Sequence, residues 1–308
     1  MRTRVPEILN DLDAVVDVGA VYEPGPCSHT APSWIKESNS YPRAARHRYD
    51  HHQKEFHDFF GHGFKTRLSS AGLIYKHFGQ EVIASELGRK ADDPVVSTVL
   101  LQVYKTFMEA IDGIDNGVSQ YEGVPKYLSS TDLSSRVGHL NPTWQQEATP
   151  ALADAQFVKA MQLAGEEWLE AVRYTANVWL PGREPVQAAL AARHEVHPSG
   201  KIVQLATYCP WKSHIYDLEQ EMGLTGETLP LYVLYEDEKK NWRVQAISVG
   251  PNSFECRKAL PWRGLRDEQL SEASGVPGGI FVHVTGFIGG NKTQAGAKEM
   301  AIKALTLE

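Results

Sequence analysis

A chain of 308 residues with 42% hydrophobic content has the length for two domains, each with its own core. Its formal net charge of -7 excludes wrapping nucleic acid by bulk basicity, but not an enzyme that holds a few phosphates at a metal centre. No apolar run reaches membrane-spanning length, residues 1–10 read as neither a signal nor a transit peptide, and three scattered cysteines (Cys27, Cys209, Cys256) read as free thiols in a reducing compartment.

The first structured element is Asp13-Ala14-Val15-Val16-Asp17-Val18-Gly19, an apolar run ending in Asp and Gly. It predicts a buried parallel strand that delivers Asp17 at its C-terminal edge, where ligands bind in open α/β sheets. Asp17 is then a metal ligand or a strand-end turn acid. Residues 25–45, with Pro26, Pro32 and Pro42, show no periodicity, and predict a functional lid or an insertion.

The stretch on which the chain is organised follows, Tyr49-Asp50-His51-His52-Gln53. Asp50, His51 and His52 place three potential divalent-metal ligands side by side. Consecutive side chains diverge, so the three would serve a metal pair, or two would bind while the third orients the site. The alternative is a solvated polar loop.

Apolar spacing predicts a helix over residues 66–88, with Ser69 and Ser70 near its anion-friendly start. A second helix, residues 94–114, carries Val96, Val99, Leu100, Val103, Phe107 and Ile111 on one stripe. Asp115 continues that stripe and is expected to point inward, beside Asp112. Buried carboxylates are costly without a cation, which makes Asp115 a further candidate ligand; the alternative is a capped helix end at Asn116-Gly117. A loop-rich segment with a short helix near residues 130–140 leads to a long helix over residues 151–179, ended by Pro181, and a short one over residues 184–193.

The second half has a different texture. Residues 201–206, 229–235, 242–249 and 280–285 read as strands, and residues 210–222 and 267–274 as intervening helices. Gly286-Phe287-Ile288-Gly289-Gly290-Asn291-Lys292-Thr293 precedes a helix over residues 294–305. It predicts a strand, a Gly-Gly turn and a capped helix, a phosphate cradle or an ordinary turn; its spacing is neither a Walker A nor a dinucleotide fingerprint. Trp211 and Trp262-Arg263 offer stacking surface or core. There is no internal repeat and no nucleophile motif.

Asp at a strand end, Asp-His-His, an Asp closing a helix and a late Gly-Gly together resemble the DHH phosphoesterase superfamily. More closely, the chain resembles its melanocyte-proliferating-gene-1 family. The likeness covers nearly the whole chain and also rests on Leu68-Ser69-Ser70-Ala71-Gly72-Leu73-Ile74-Tyr75, Ile111-Asp112-Gly113-Ile114-Asp115-Asn116-Gly117, Leu140-Asn141-Pro142-Thr143-Trp144 and Pro261-Trp262-Arg263-Gly264-Leu265-Arg266-Asp267. The resemblance implies an α/β fold: a Rossmann-like DHH domain with a parallel sheet over residues 1–180, residues 151–180 connecting, and a smaller α/β substrate-binding domain over residues 181–308. It implies a two-metal phosphodiesterase that uses Mn2+ (or Mg2+), acting as a 3′–5′ exonuclease on RNA or short oligonucleotides in the nucleus and mitochondrion, with no membrane partner. Asp17, Asp50, His51, His52 and Asp115 would hold the metals, with Asp50, His51 and His52 at the catalytic centre. Gly289, Gly290, Asn291 and Lys292 would meet substrate.

Three departures from the family pattern stand out. The family motif Gly-x-Phe-His-x-Asp-Glu, expected before the segment matching Arg2-Thr3-Arg4, is absent; residues 25–45 look inserted; and Asn291 stands where the family often has His. The first departure predicts a weakened metal position and reduced activity, so the alternatives are a catalytically impaired nucleotide- or RNA-binding scaffold, or a hydrolase of small phosphoanhydrides.

Overall fold

Val15 alternates as the buried residue between exposed Ala14 and Val16, the pattern of a strand with one covered face. This strand, β1 (Ala14–Val16), pairs parallel with β3 (His47–Tyr49) in the register Val16 opposite Tyr49. A short β2 (Tyr22–Glu23) pairs antiparallel with the other edge of β3. The computed structural model describes residues 14–18, 21–23 and 47–307, and divides the chain into two units, Met1–Ala176 and Asn177–Glu308. The expected lid or insertion at residues 25–45 and Cys27 lie outside the described residues, as do Asp13 and Gly19 of the predicted first strand. The fold is mixed α/β, as the sequence predicts.

In the first unit, α1 (Ser70–Leu87) starts at an Ser69 N-cap and stops at Gly88 in the left-handed conformation (φ 62°), which ends a helix without a Cβ clash. It packs Leu73, Tyr75, Ile83 and Ala84 into a core with α2 (Pro94–Val103), itself capped by Asp93. At the centre of this core Phe60 and Tyr104 stack face to face at 3.9 Å, with Tyr75 tilted against both rings and Trp168 edge-on to Tyr75.

The predicted single helix over residues 94–114 is broken in its hydrogen bonding by a π-turn over Tyr104–Met108, after which α3 (Glu109–Asp115) resumes. The Glu109 N–H reaches back five residues, to the Tyr104 carbonyl. That extra residue advances the buried stripe by one position. It runs Val96, Val99, Val103 and then Tyr104, Met108 and Asp112. The inward acid is therefore Asp112, fully buried, while Asp115 is exposed. The expectation that Asp115 points inward is corrected by this change of phase.

A short α4 (Leu133–Gly138) and a long amphipathic α5 (Pro150–Tyr174) follow. The predicted helix to residue 179 again changes type near its end, becoming a π-turn over Thr175–Trp179 and a 3-10 turn at Leu180–Gly182 around Pro181.

In the second unit, α6 (Arg183–Ala191) and a single turn, α7 (Arg193–Val196), lead to a mixed sheet. Its strands are β4 (Ile202–Gln204), β5 (Tyr232–Glu236), β6 (Trp242–Ala246), β7 (Gly279–Val282) and β8 (Ile288–Asn291), in the order β4-β5-β6-β8-β7. Strand alternation divides β5 between two cores. Val233 and Tyr235 join α6 and α8 (Trp211–Glu221), while Tyr232 and Leu234 face α9 (Asp267–Ser274) and α10 (Gln294–Thr306). Trp211 and Trp262 are both buried in these cores, so they pack the unit rather than offering stacking surface. The described cysteines, Cys209 and Cys256, are free thiols.

The expected Gly-Gly turn is a strand. Gly289 and Gly290 lie in β8, between β6 and β7, where the missing side chains make room for neighbours. A Cβ at Gly289 would stand 3.0 Å from a Leu260 methyl, and one at Gly290 2.4 Å from the Arg243 guanidinium. The turn comes later, at Lys292, ahead of the Thr293 N-cap of α10.

Candidate metal centre

Register creates the site. With Val16 opposite Tyr49 in parallel strands, the next residues, Asp17 and Asp50, leave the sheet at the same end. The Asp17 N–H still donates to the Tyr49 carbonyl (2.9 Å), but its backbone turns left-handed (φ 62°), a conformation Asp tolerates better than most residues. Asp50 is clamped through its main chain: its N–H donates to Val21 O (3.2 Å), and its carbonyl accepts from Gln53 Nε2 (2.9 Å). Its carboxylate is buried, 2% exposed, whereas the Asp17 side chain is open to solvent.

The two histidines are held differently. His52 folds back on Asp50, whose Oδ1 accepts from His52 N–H (3.0 Å) and lies 2.7 Å from its Nδ1. The Nδ1–H donated to that carboxylate leaves Nε2 with a lone pair in a largely exposed side chain. His51 is buried and turns toward the start of α1. Its Nδ1 is 2.9 Å from Ser70 Oγ and 3.1 Å from Ser70 N, and its Nε2 is 3.3 Å from Asp115 Oδ2. Ser70 can therefore meet either tautomer. Its N–H donates to a bare Nδ1, and its hydroxyl accepts from a protonated one, the form that frees Nε2 for a cation beside Asp115.

Ligand atoms from Asp17, Asp50, His51 and His52 all lie within 4.8 Å of one another. Asp115 joins the cluster through His51. All five residues singled out from the sequence as ligands thus come together in the first unit. Three carboxylates and two imidazoles make a nitrogen and oxygen donor set that suits a divalent cation. A cavity of about 500 Å³ opens beside them, and no Lys or Arg is among the described residues that line it. A buried carboxylate with further acids nearby calls for a cation, and the residues fit one.

Behind the ligands, Asp112 anchors the start of α1. Its Oδ1 accepts from Ser69 N–H (2.9 Å) and Ser69 Oγ–H (2.7 Å), and its Oδ2 from the Tyr104 hydroxyl (2.7 Å). Burial raises its carboxyl pKa, opposed by those three bonds and reinforced by the charge on Asp115. Gly72 is the floor of this arrangement: a Cβ there would stand 2.2 Å from Asp112 Oδ1. The sequence pairs Asp112 with Asp115 but gives no sign that Asp112 carries the burial, since the π-turn has no clear signature. Ser134 of α4, which also lines the cavity, has no sequence signal at all.

The same device closes the second unit. Thr293 Oγ1 accepts from Gly296 N–H as Ser69 Oγ does from Gly72 N–H, and Asn291 Oδ1 accepts from Thr293 N–H (3.0 Å) and lies 3.2 Å from its hydroxyl. The Asn291 amide also donates to Pro277 O (2.9 Å). Of the stretch expected to meet substrate, Gly289, Gly290 and Asn291 are buried, and Asn291 spends its side chain on this internal network; Lys292 alone is exposed. These four residues lie in the second unit.

A family model described as "Uncharacterised protein family (UPF0160)" matches residues 39–305. The chain is 45% identical to a protein of Bos taurus named "MYG1 exonuclease", over 98% of this chain and 75% of that protein. It is 44% identical to the Homo sapiens protein of the same name, over 98% and 76%. A "MYG1 protein" of Saccharomyces cerevisiae is 36% identical over 99% of this chain and 86% of its own length. No solved structure matches the chain.

Proposed function

The chain belongs to the MYG1 family (UPF0160), and from that premise we propose that it is a metal-dependent nuclease that hydrolyses RNA or short oligonucleotides from the 3′ end. The observation that carries the reading is the convergence of Asp17, Asp50, His51 and His52, with Asp115 against His51, in a unit whose relatives are named exonucleases. In this reading Asp17, Asp50 and His52 hold one divalent cation, and His51 with Asp115 contributes to a second, with Mn2+ the preferred ion and Mg2+ the alternative. The bound ions would supply Lewis acidity, polarising the phosphate and acidifying water.

The chain's own residues do the rest. Asp50 is fixed by its main chain and fixes His52, so the His52 Nε2 lone pair keeps its direction during catalysis. In the tautomer with its proton at Nδ1, donated to Ser70 Oγ, His51 keeps Nε2 available beside Asp115. A carboxylate among the ligands, Asp17 being the most exposed, would help position or deprotonate the attacking water. Of the 289–292 stretch, exposed Lys292 is the residue whose charge suits a phosphate. A nuclear and mitochondrial setting follows from the resemblance alone; no described helix is long and apolar enough to cross a membrane.

The test is an Asp50→Ala variant with a 3′-labelled oligoribonucleotide and Mn2+. Hydrolysis should be abolished. Titration with Mn2+ should also raise the melting temperature of the parent protein, by the equivalent of about 2.7 kcal/mol at a hundredfold excess over Kd, and not that of the variant. Undiminished turnover in Asp50→Ala removes the assignment.

A further inference from the structure

Three apolar side chains stand where a charged centre would be expected to keep only polar ones. Val16 immediately precedes Asp17 and is 44% exposed; Ile114 immediately precedes Asp115 and is 51% exposed. Both line the cavity beside the carboxylates, and Ile111, one turn earlier on α3, completes the wall. Single exposed apolar residues are ordinary on protein surfaces. Three that share one cavity with two acids are a different matter, because the cavity then has an apolar side and an anionic side.

The anionic side does not attract a phosphate on its own, and with a cation between them it does. The apolar residues offer aliphatic carbon, and the described lining holds no amide or guanidinium side chain that could read the edge of a base; Ser69, Ser70 and Ser134 add only hydroxyls, which donate or accept and so do not select among bases. That chemistry suits the face of a heterocycle of any identity. A volume of about 500 Å³ suits a single nucleotide and is too small for a stretch of duplex.

We propose that Val16, Ile111 and Ile114 form the seat of the nucleoside whose phosphate is held at the Asp17 and Asp115 side of the cavity, so that the site takes one terminal nucleotide of a single strand without regard to its base. The inference rests on the phosphodiesterase reading and adds to it the residues that bind the non-reacting part of the substrate. It also accounts for the exposure of Ile114 in the last turn of α3. Its side chain lies on the cavity side of the helix because the π-turn has moved the buried stripe to Met108 and Asp112.

The experiment is equilibrium binding to the full chain in Mn2+, with AMP, UMP and ribose 5-phosphate as probes, for the parent protein and for Ile114→Ser and Ile114→Val. AMP and UMP should bind alike and about tenfold more tightly than ribose 5-phosphate, and Ile114→Ser should remove most of that margin while Ile114→Val keeps it. Thermal melting of each variant shows that the fold is retained, which half-exposed Ile114 makes the expected result. A parent protein that binds ribose 5-phosphate as well as AMP overturns the proposal, as does an Ile114→Ser variant that keeps the full margin. Failure of the phosphodiesterase reading would look different: no Mn2+-dependent cleavage of any oligoribonucleotide by the parent protein, whatever the binding margin.

Discussion

Replacing Asp112 by Ala should damage the candidate centre without touching any of its ligands. The substitution leaves three donors without an acceptor, Ser69 N–H, Ser69 Oγ–H and the Tyr104 hydroxyl, in a fully buried location. Each stranded donor costs about 1–3 kcal/mol, and relief from burying a carboxylate offsets part of the sum. The net loss should be about 3–5 kcal/mol, at the upper end of what a single substitution costs when it strands buried polar groups. That is a large share of the roughly 5–15 kcal/mol that holds a domain together. Asp112→Asn keeps an oxygen for both Ser69 donors and turns an amide toward Tyr104, whose hydroxyl can accept; its cost should be about 1 kcal/mol. Urea unfolding of the first unit, with hydrogen exchange at the first-turn amides of α1, reads both variants. Because Ser69 sets the start of α1 and Ser70 sets His51, Asp112→Ala should also weaken Mn2+ binding, and Asp112→Asn should preserve it. An Asp112→Ala protein within about 1 kcal/mol of the parent, or an Asp112→Asn protein equally damaged, would refute this account of the anchor.

In the second unit, Gly296→Ala should destabilise by about 1–3 kcal/mol even though Ala is the better helix former, because its Cβ would stand 2.2 Å from Asn291 Oδ1; thermal melting gives the sign. His214 is fully buried, with Nε2 against Trp179 O (2.7 Å) and no partner for Nδ1, and burial lowers its pKa. The unfolded chain therefore takes up the proton first. Stability is fully present above the ordinary imidazole range and falls as pH drops from there to the lowered value, with a slope of up to about 1.4 kcal/mol per pH unit. Melting curves of the parent and His214→Gln between neutral and mildly acidic pH should differ in slope, and equal slopes would remove His214 from the account.

The elements that local chemistry fixes could be read directly. Asp17 at the end of Ala14–Val16, Ser69 before Ser70–Leu87 and Thr293 before Gln294–Thr306 each follow from period, cap or strand pattern within a few residues. The gathering of Asp17 with Asp50, His51 and His52 was legible only through the family likeness, since it depends on parallel pairing of β1 with β3 across a long separation in sequence. Two things were not legible. The π-turn at Tyr104–Met108 goes with the stacking of Tyr104 on Phe60 and with the bond from Tyr104 to Asp112, both tertiary facts. The Gly-Gly strand reads as a turn in the sequence because glycine signals turns locally. Here it answers to Arg243 and Leu260, which reach it from elsewhere in the unit.

The π-turn also makes chain length carry information that residue identity does not. From Val96 to Asp112 the helix holds one residue more than a continuous α-helical count would allocate to its buried face. The step from Val103 to Met108 is five residues, so losing a single codon within Tyr104–Met108 would close the π-turn to the α-helical step of four and leave Asp112 on the Ser69 amide and Asp115 at His51. Keeping the length while the π-turn became α-helical would do the opposite. Every later residue would turn by roughly 100° about the axis, and Asp112 would swing off Ser69 with every ligand still present in the sequence. A one-residue gap at this point in an alignment of homologues is therefore compatible with an intact centre, whereas full length without the π-turn is not.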